Sequence, residues 1–407
     1  MNAGAYDEAS ARRTAIIFAA AQAVVGSAAP IAFSLGGLAG FYLLGDDKSL
    51  ATLPVTGFTV GVAVGAIPAA GLIKRLGQRP GFMLGTGITA LGGLLTTLSL
   101  YESSFWLLTF GMLAMGFGGA FVQQFRFAAA DNVPPPYKAR AISLVLAGGI
   151  VTAILGPQIV IFTREMLAPV MFAGSFVSII GLAAVGALIL SFLRARDTVP
   201  VQTSTSDLPA RPLGEIVRQP LFAAGLLCAV GSYALMSFLM TGAPLAMVGC
   251  GFTPDEATLG ISWHVMAMYA PSFFTGSLIA RFGKEKIVGL GLALLVACAI
   301  IGLSGIQLWQ FWTSLILLGL GWNFGFIGAT AMVAETYRPS EKGKVQGFHD
   351  FVLFGTVAVA SFMSGVVYNA WGWEMLNYIL FPVVGVCLAG LLLLGRVARR
   401  SDAATRA

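Results

Sequence analysis

Twelve long apolar runs alternate with short polar breaks along this chain. They cover approximately 14–43, 51–73, 80–100, 105–130, 140–162, 169–193, 220–248, 258–280, 286–305, 309–334, 348–370 and 374–395. Membrane strands would show strict alternation broken by turn signals about every ten residues. These runs show neither, so the pattern predicts helices. Each approaches or exceeds the ~20 residues that a helix needs to cross the hydrocarbon core of a bilayer. The first run has no convincing cleavage site after it and reads as a retained span, not a signal peptide. The expected fold is an all-α polytopic membrane protein with twelve transmembrane helices.

Charge tests that count. If both termini face the cytoplasm, the inner segments carry Arg12, Arg13, Lys74, Arg75, Arg79, Lys138, Arg140 and the arginines of 194–219. They also carry Arg281, Lys284, Lys286, Arg338, Lys342, Lys344 and the arginines of the tail. Only Lys48 and Arg164 fall outside, and Arg126 falls within a span. This bias is the positive-inside rule. A false or missing span would scramble it. The expected location is a bacterial inner membrane.

Composition agrees, with 57% hydrophobic and only 10% charged residues, against about 25% charged in soluble domains. The net charge of +6 follows topology and needs no nucleic acid as partner. Cys228, Cys250, Cys298 and Cys387 lack metal-ligand spacing and read as small buried hydrophobes. No metal or cofactor is expected. The longest polar break, 194–219, contains Ser, Thr, Pro and four arginines and falls near the middle. It is the expected cytoplasmic linker between an N-terminal six-helix bundle, 1–193, and a C-terminal one, 220–407.

The halves repeat each other. Ser27-Ala28-Ala29-Pro30-Ile31-Ala32 has the form of Thr241-Gly242-Ala243-Pro244-Leu245-Ala246. Arg75-Leu76-Gly77 answers Arg281-Phe282-Gly283, and the Gly-rich run ending at Ala130-Asp131 answers the one ending at Ala334-Glu335. Parallel six-helix repeats are the arrangement of major facilitator transporters.

The chain resembles that superfamily over nearly its whole length. The superfamily signature between helices 2 and 3, roughly G-x-L-x-D-R-x-G-R-K, is matched here by Leu72, Arg75 and Gly77, with Arg79 matching in charge. Lys74 stands where the signature has an acid, and the helix 5 antiporter signature survives only as Gly156-Pro157. Those departures argue against proton-driven drug antiport. The sequence around Met240–Met247 and Trp263–Gly276 is similar to proteobacterial riboflavin transporters of the RfnT type. The resemblance implies a secondary transporter that moves a small organic solute by alternating access, with riboflavin uptake as one form. Proton-coupled efflux of a drug or metabolite is the alternative. A monomer in the bilayer, with protons as a further partner in a coupled cycle, is expected.

Pro30 and Pro244 are expected to bend helices 1 and 7, since proline removes one backbone hydrogen bond. The resemblance places helices 1, 4, 7 and 10 around a cavity. Gln22, Gln123, Gln124, Arg126, Tyr233 and Asn323 are then its candidate polar lining. Phe125, Trp263 and Trp322 are candidate stacking surfaces. Amides with aromatics suit a planar, hydrogen-bonding solute better than a simple cation. Arg126 also lies near enough to the cytoplasm to snorkel. His264 is either a ligand or proton group, or a packed hydrogen-bonding residue.

The inner loops suggest a charged gate. Arg75 or Arg79 is expected to face Asp131, and Arg281 or Lys284 to face Glu335. Lys74 is expected to face Asp350 in a charge-swapped contact that bridges the halves when the transporter is open outward. Solvated loop charge is the plainer reading of the same residues.

Two other functions fit worse. A membrane enzyme would need paired carboxylates, Ser with His, or H-E-x-x-H in the spans. The two histidines, His264 and His349, fall near opposite faces. A transporter-like sensor would carry a sizeable signalling domain, and the tail after Gly395 is short.

Overall fold

The computed structural model describes residues 8–131, 138–193 and 210–406. It is helical, as the apolar runs require: inside a bilayer, helices satisfy their backbone groups within one segment. The first eight helices are α1 (Glu8–Val25), α2 (Ala28–Leu43), α3 (Leu53–Leu76), α4 (Gln78–Tyr101), α5 (Phe105–Gln123), α6 (Phe125–Asp131), α7 (Lys138–Thr163) and α8 (Ala173–Ser191). A five-residue α9 (Leu213–Val217) precedes α10 (Pro220–Gly249), α11 (Pro254–Tyr269), α12 (Ser272–Phe282), α13 (Lys284–Leu303), α14 (Leu308–Ala334), α15 (Lys342–Tyr378) and α16 (Leu380–Arg406).

Among the described residues, ten stretches are each long and apolar enough to cross a membrane. One of them, Lys344–Gly395, comprises most of α15 and α16. The interrupted pair α11–α12 supplies a further span. The result is the twelve-helix membrane fold expected from the sequence. The differences are interruptions: α1 and α2 divide the first span, α5 and α6 the fourth, and α11 and α12 the eighth.

Helices of the N-terminal part pack around two buried clusters, one with Phe18, Phe82, Phe121 and Phe125, the other with Ile31, Leu35, Met112 and Phe176. The C-terminal part packs around Leu239, Met247, Leu315, Met332 and Leu376. Close helix contact depends on small residues, as is usual in bilayers. A Cβ on Gly116 of α5 would lie 1.9 Å from the carbonyl oxygen of Phe58 in α3.

The repeated Arg-x-Gly motif has a conformational cause. Gly77 ends α3 and begins α4 at φ +91°, and Gly283 ends α12 and begins α13 at the same angle. Side chains other than hydrogen rarely adopt that region. Both turns lie at one end of the molecule, which also carries Lys74, Arg75, Arg79, Arg281 and Lys284; we call it the basic end.

An ionic clamp at the basic end fixes the entry to the C-terminal part. Arg211 donates to Glu341 Oε1 from its backbone N at 2.8 Å and from Nε at 2.9 Å, and from Nη2 to Oε2 at 2.8 Å. The backbone N of Arg338 also donates to Glu341 Oε2, at 2.9 Å. Arg211 Nη2 and Gln219 Nε2 both donate to the carbonyl of Thr336, and Lys344 donates to that of Arg211. Below the clamp, Ile216 of α9 is buried with Phe222, Val333 and Val345. A doubly contacted Arg–carboxylate fork is among the strong polar interactions.

The Arg211 guanidinium, helped by the two backbone N–H donors, holds the Glu341 carboxyl well below the usual carboxylate range, against the opposing effect of burial. A lowered folded pKa makes the contribution to stability complete above the unfolded value, ~4.3 for a glutamate. It is lost as pH falls toward the folded value. Thermal unfolding of purified protein should therefore show a lower midpoint for Glu341→Gln than for wild type at pH 7. The gap should narrow steadily below about pH 4.5. A gap that stays constant down to strongly acidic pH would contradict the clamp's ionic character.

Candidate functional site

A cavity lies between the N-terminal and C-terminal helices, with about 1030 Å³ of space including the part open to solvent. From the N-terminal side Gln22, Pro30, Thr59, Thr89, Gln123 and Thr152 line it. From the other side come Tyr233, Ser237, Met268, Tyr269, Phe354 and Val357. Its walls are thus mostly apolar, with hydroxyls, two amides and aromatic rings. Among the described residues, no Asp or Glu lines it.

The interrupted spans converge here. Proline at 30 has no N–H for the carbonyl four residues earlier, that of Gly26, and its ring crowds that carbonyl. The first span accordingly breaks at Gly26–Ser27, one turn before the proline, and Gly26 O accepts from the N–H of Ala29 instead. Thr152 Oγ1 of α7 donates to the carbonyl of Gln22 at 2.8 Å, bracing the break. A Cβ on Gly26 would lie 2.2 Å from that same carbonyl. The eighth span breaks at Ala270–Pro271, at the proline itself and next to Tyr269. The fourth breaks at Gln124, one residue after Gln123. Irregular backbone is tolerated at membrane depth where it lines a cavity or is buried in protein. By contrast α10 continues through Pro244 without interruption. A bend is expected at both prolines; the first span is interrupted one turn before Pro30, whereas Pro244 lies inside a single continuous helix.

The aromatic wall has two layers. Tyr233 and Phe354 face the cavity, their ring centroids 6.0 Å apart. Behind them Trp322 stacks on Phe326 at 5.2 Å and 14°, and both meet Tyr233 edge-on. Trp322 therefore supports the wall rather than lining the cavity. Trp263 is 44% exposed on the outer surface of α11 and is absent from the lining. Its expected role as a cavity aromatic is corrected: it sits one residue from His264, and the helical turn points the two side chains apart.

Asn323 and His264 are corrected likewise. Asn323 is fully buried; Nδ2 donates to Met268 O at 2.7 Å and to Ser272 Oγ at 2.8 Å, while Oδ1 accepts from Thr275 Oγ1 at 2.6 Å. It braces the break in the eighth span and does not reach the cavity. His264 is fully buried against α14, where Nδ1 donates to Leu315 O at 2.8 Å. It is a packing histidine and not part of the cavity lining.

Arg126, at the start of α6, sits at the basic end of the cavity. It is not among the lining residues, although Gln123, three residues before it, is. Its guanidinium lies 4.8 Å from the Phe127 ring centroid. Gln124 is half-buried at the junction of α5 and α6 and does not line the cavity. Tyr269, Thr59, Thr89, Thr152, Ser237 and Phe354 escaped sequence reasoning. For Tyr269 a signal existed: it immediately precedes Ala270-Pro271 in an apolar run.

Contacts between the two groups of helices concentrate toward the end opposite the basic one. Thr52 Oγ1 donates to Phe362 O at 3.5 Å, and Thr56 Oγ1 to Ser361 Oγ at 3.4 Å, with Thr241 Oγ1 3.3 Å from that same Ser361 hydroxyl. Ser262 Oγ donates to Ala153 O at 2.6 Å, and Arg164 Nε lies 3.3 Å from Asp255 Oδ1. A Cβ on Gly365 would lie 2.2 Å from Thr52 Oγ1, so the two surfaces are in close contact.

At the basic end, Lys284 forms an ion pair with Glu335. Arg75, Arg79 and Arg281 are exposed, and the side chain of Asp131 lies outside the described residues. Lys74 is exposed, and Asp350 pairs with His349 Nδ1 at 3.0 Å. Among the described residues no ion pair joins Lys74 to Asp350.

The Major Facilitator Superfamily profile matches this chain over residues 14–270 and again over 225–407. The chain belongs to the Major Facilitator Superfamily. It is a multi-pass membrane transporter of that superfamily, and its central cavity and interrupted spans are read in that light. Among its relatives is the riboflavin transporter RfnT of Brucella anthropi, 49% identical over 95% of this chain and 97% of the relative. The uncharacterized MFS-type transporter YddS of Bacillus subtilis is 28% identical over 94% of this chain and 89% of its own length. The human lysosomal dipeptide transporter MFSD1 is 22% identical over 81% and 74%.

Proposed function

We propose that this chain carries riboflavin into a bacterial cell across the inner membrane. The observation that carries the reading is the near-full-length 49% identity to a riboflavin transporter. The cavity supports it chemically. Tyr233 and Phe354 offer aromatic surface to a flat ring, and Gln22, Gln123 and the threonine hydroxyls offer donors and acceptors to its polar edge and side chain.

In this reading 1–193 and 220–407 are two bundles that rock about the cavity as a monomer, tethered by 194–219, with both termini cytoplasmic. The basic end is the cytoplasmic end, as the positive-inside rule requires. The hydroxyl contacts around Ser361 and the Arg164–Asp255 pair close the outer side, so the conformation is inward-facing. The Lys74–Asp350 contact belongs to the outward-facing state, in which the inner ends meet. Among the described residues no carboxylate lines the cavity, which favours a facilitated cycle over a proton-coupled one.

Purified protein in liposomes should equilibrate riboflavin at the same initial rate with and without an imposed pH gradient. Sugars, amino acids and lipophilic cations should neither be carried nor compete. Accumulation that requires the gradient would overturn the facilitated cycle. Extrusion of a lipophilic cation without riboflavin movement would replace uptake by efflux.

A further inference from the structure

Arg126 is a cation at membrane depth with no carboxylate to answer it among the described residues. Its Nε is buried and makes no hydrogen bond. Buried donors in native proteins nearly always have a partner, and a charged one without a partner is costly. A residue that only snorkelled would send its donors out to water or lipid headgroups. Here the side chain leaves α6 about one turn from the cavity that Tyr233 of α10 and Tyr269 of α11 line. Gln123, a turn earlier on the same span, already lines that cavity. The break at Gln124 lies between the two residues. It separates the cavity-lining end of α5 from the short helix that carries Arg126.

We propose that Arg126 is the specificity-determining donor of the solute site. It reads an edge rich in carbonyl oxygen. This rests on the flavin reading and deepens it. The pyrimidinedione edge of an isoalloxazine has two carbonyl oxygens separated by a ring nitrogen, and a guanidinium offers fixed, forked donors that lysine lacks. With Arg126 on that edge, the flat face of the ring lies against Tyr233 and Phe354, and the polyol reaches toward Gln22 and Thr152. The donor sits on the N-terminal side and the aromatic surface on the C-terminal side. One bound molecule therefore contacts both moving parts, as a solute must if its binding is to bias their relative position.

The test pairs variants with analogues. Binding is followed by quenching of ligand fluorescence in detergent. The ligands are riboflavin and two analogues in which sulfur, a weaker acceptor, replaces one or the other carbonyl oxygen of the pyrimidinedione. Wild type should prefer riboflavin over at least one analogue by on the order of tenfold or more, the range of a charge-assisted hydrogen bond. Arg126→Gln should bind all three weakly and nearly equally. Arg126→Lys, which keeps the charge without the fork, should recover part of the affinity and little of the discrimination. Matching thermal unfolding midpoints would establish that all three proteins are folded. Discrimination that survives intact in Arg126→Gln would overturn the role of Arg126 and leave the flavin reading standing. Failure of wild type to bind riboflavin would overturn the flavin reading itself, and this inference with it.

Discussion

Cysteines placed at Thr56 and Ser361 should cross-link under mild oxidation and bring transport in liposomes down to the level of empty vesicles. The two hydroxyls are 3.4 Å apart, on α3 and α15, one from each group of helices. Sulfurs replacing those oxygens would start close together, and small rotamer changes would bring them to the ~2.05 Å of a disulfide. Alternating access requires these surfaces to separate once in every cycle. A covalent bond there should therefore stop turnover completely, not merely slow it. Addition of a reductant should restore the rate of the reduced double variant. Each single cysteine should transport in oxidising conditions, because the native contact is one weak hydrogen bond among several. Persistent transport by a fully cross-linked protein would mean that the seal at this end does not open, and the rocking mechanism would have to be abandoned.

Replacing Asn323 by leucine should damage the protein more than any change inside the cavity. The asparagine satisfies Met268 O, Ser272 Oγ and Thr275 Oγ1 together, in full burial beside a proline-broken helix. Leucine leaves the buried carbonyl of Met268 without that partner; Thr275 Oγ1 keeps its bond to Pro271 O, and Ser272 is only partly buried. A buried orphan costs roughly 1–3 kcal/mol, so a loss on the order of 1–3 kcal/mol is expected. The measurement is the thermal midpoint and the yield of folded protein in detergent. Asn323→Asp is the informative companion. It keeps the acceptor for Thr275 but loses the donors to Met268 and Ser272, and should fall between leucine and wild type. A leucine variant as stable as wild type would show that Asn323 does not brace the break.

The twelve spans were legible because a bilayer enforces one rule, a long apolar run for each crossing, and the alternation of Lys and Arg checked the count independently. The repeat was legible because Gly77 and Gly283 face the same conformational demand at φ +91°. What escaped was the third dimension of each helix. Trp263 and His264 are adjacent in sequence yet opposite in fate, one exposed on the outer surface and one sealed against α14. Asn323 read as a cavity group because polarity in a span invites that reading. Its true partners are freed backbone and hydroxyl groups that only the packed structure brings near. Breaks beside Pro30 and Pro271 were foreseeable from proline chemistry. Unbroken α10 around Pro244 was not, because neighbouring helices decide whether a bend becomes an interruption.

The clamp of Arg211 on Glu341 changes what the chain before α10 is. It is moored to the loop between α14 and α15, through Arg211 and Gln219. For anyone dividing this transporter into separately made pieces, the residues from Ala210 onward belong with the helices that hold Glu341. A cut even a few residues later would take Arg211 away and leave the buried Glu341 carboxylate without its guanidinium.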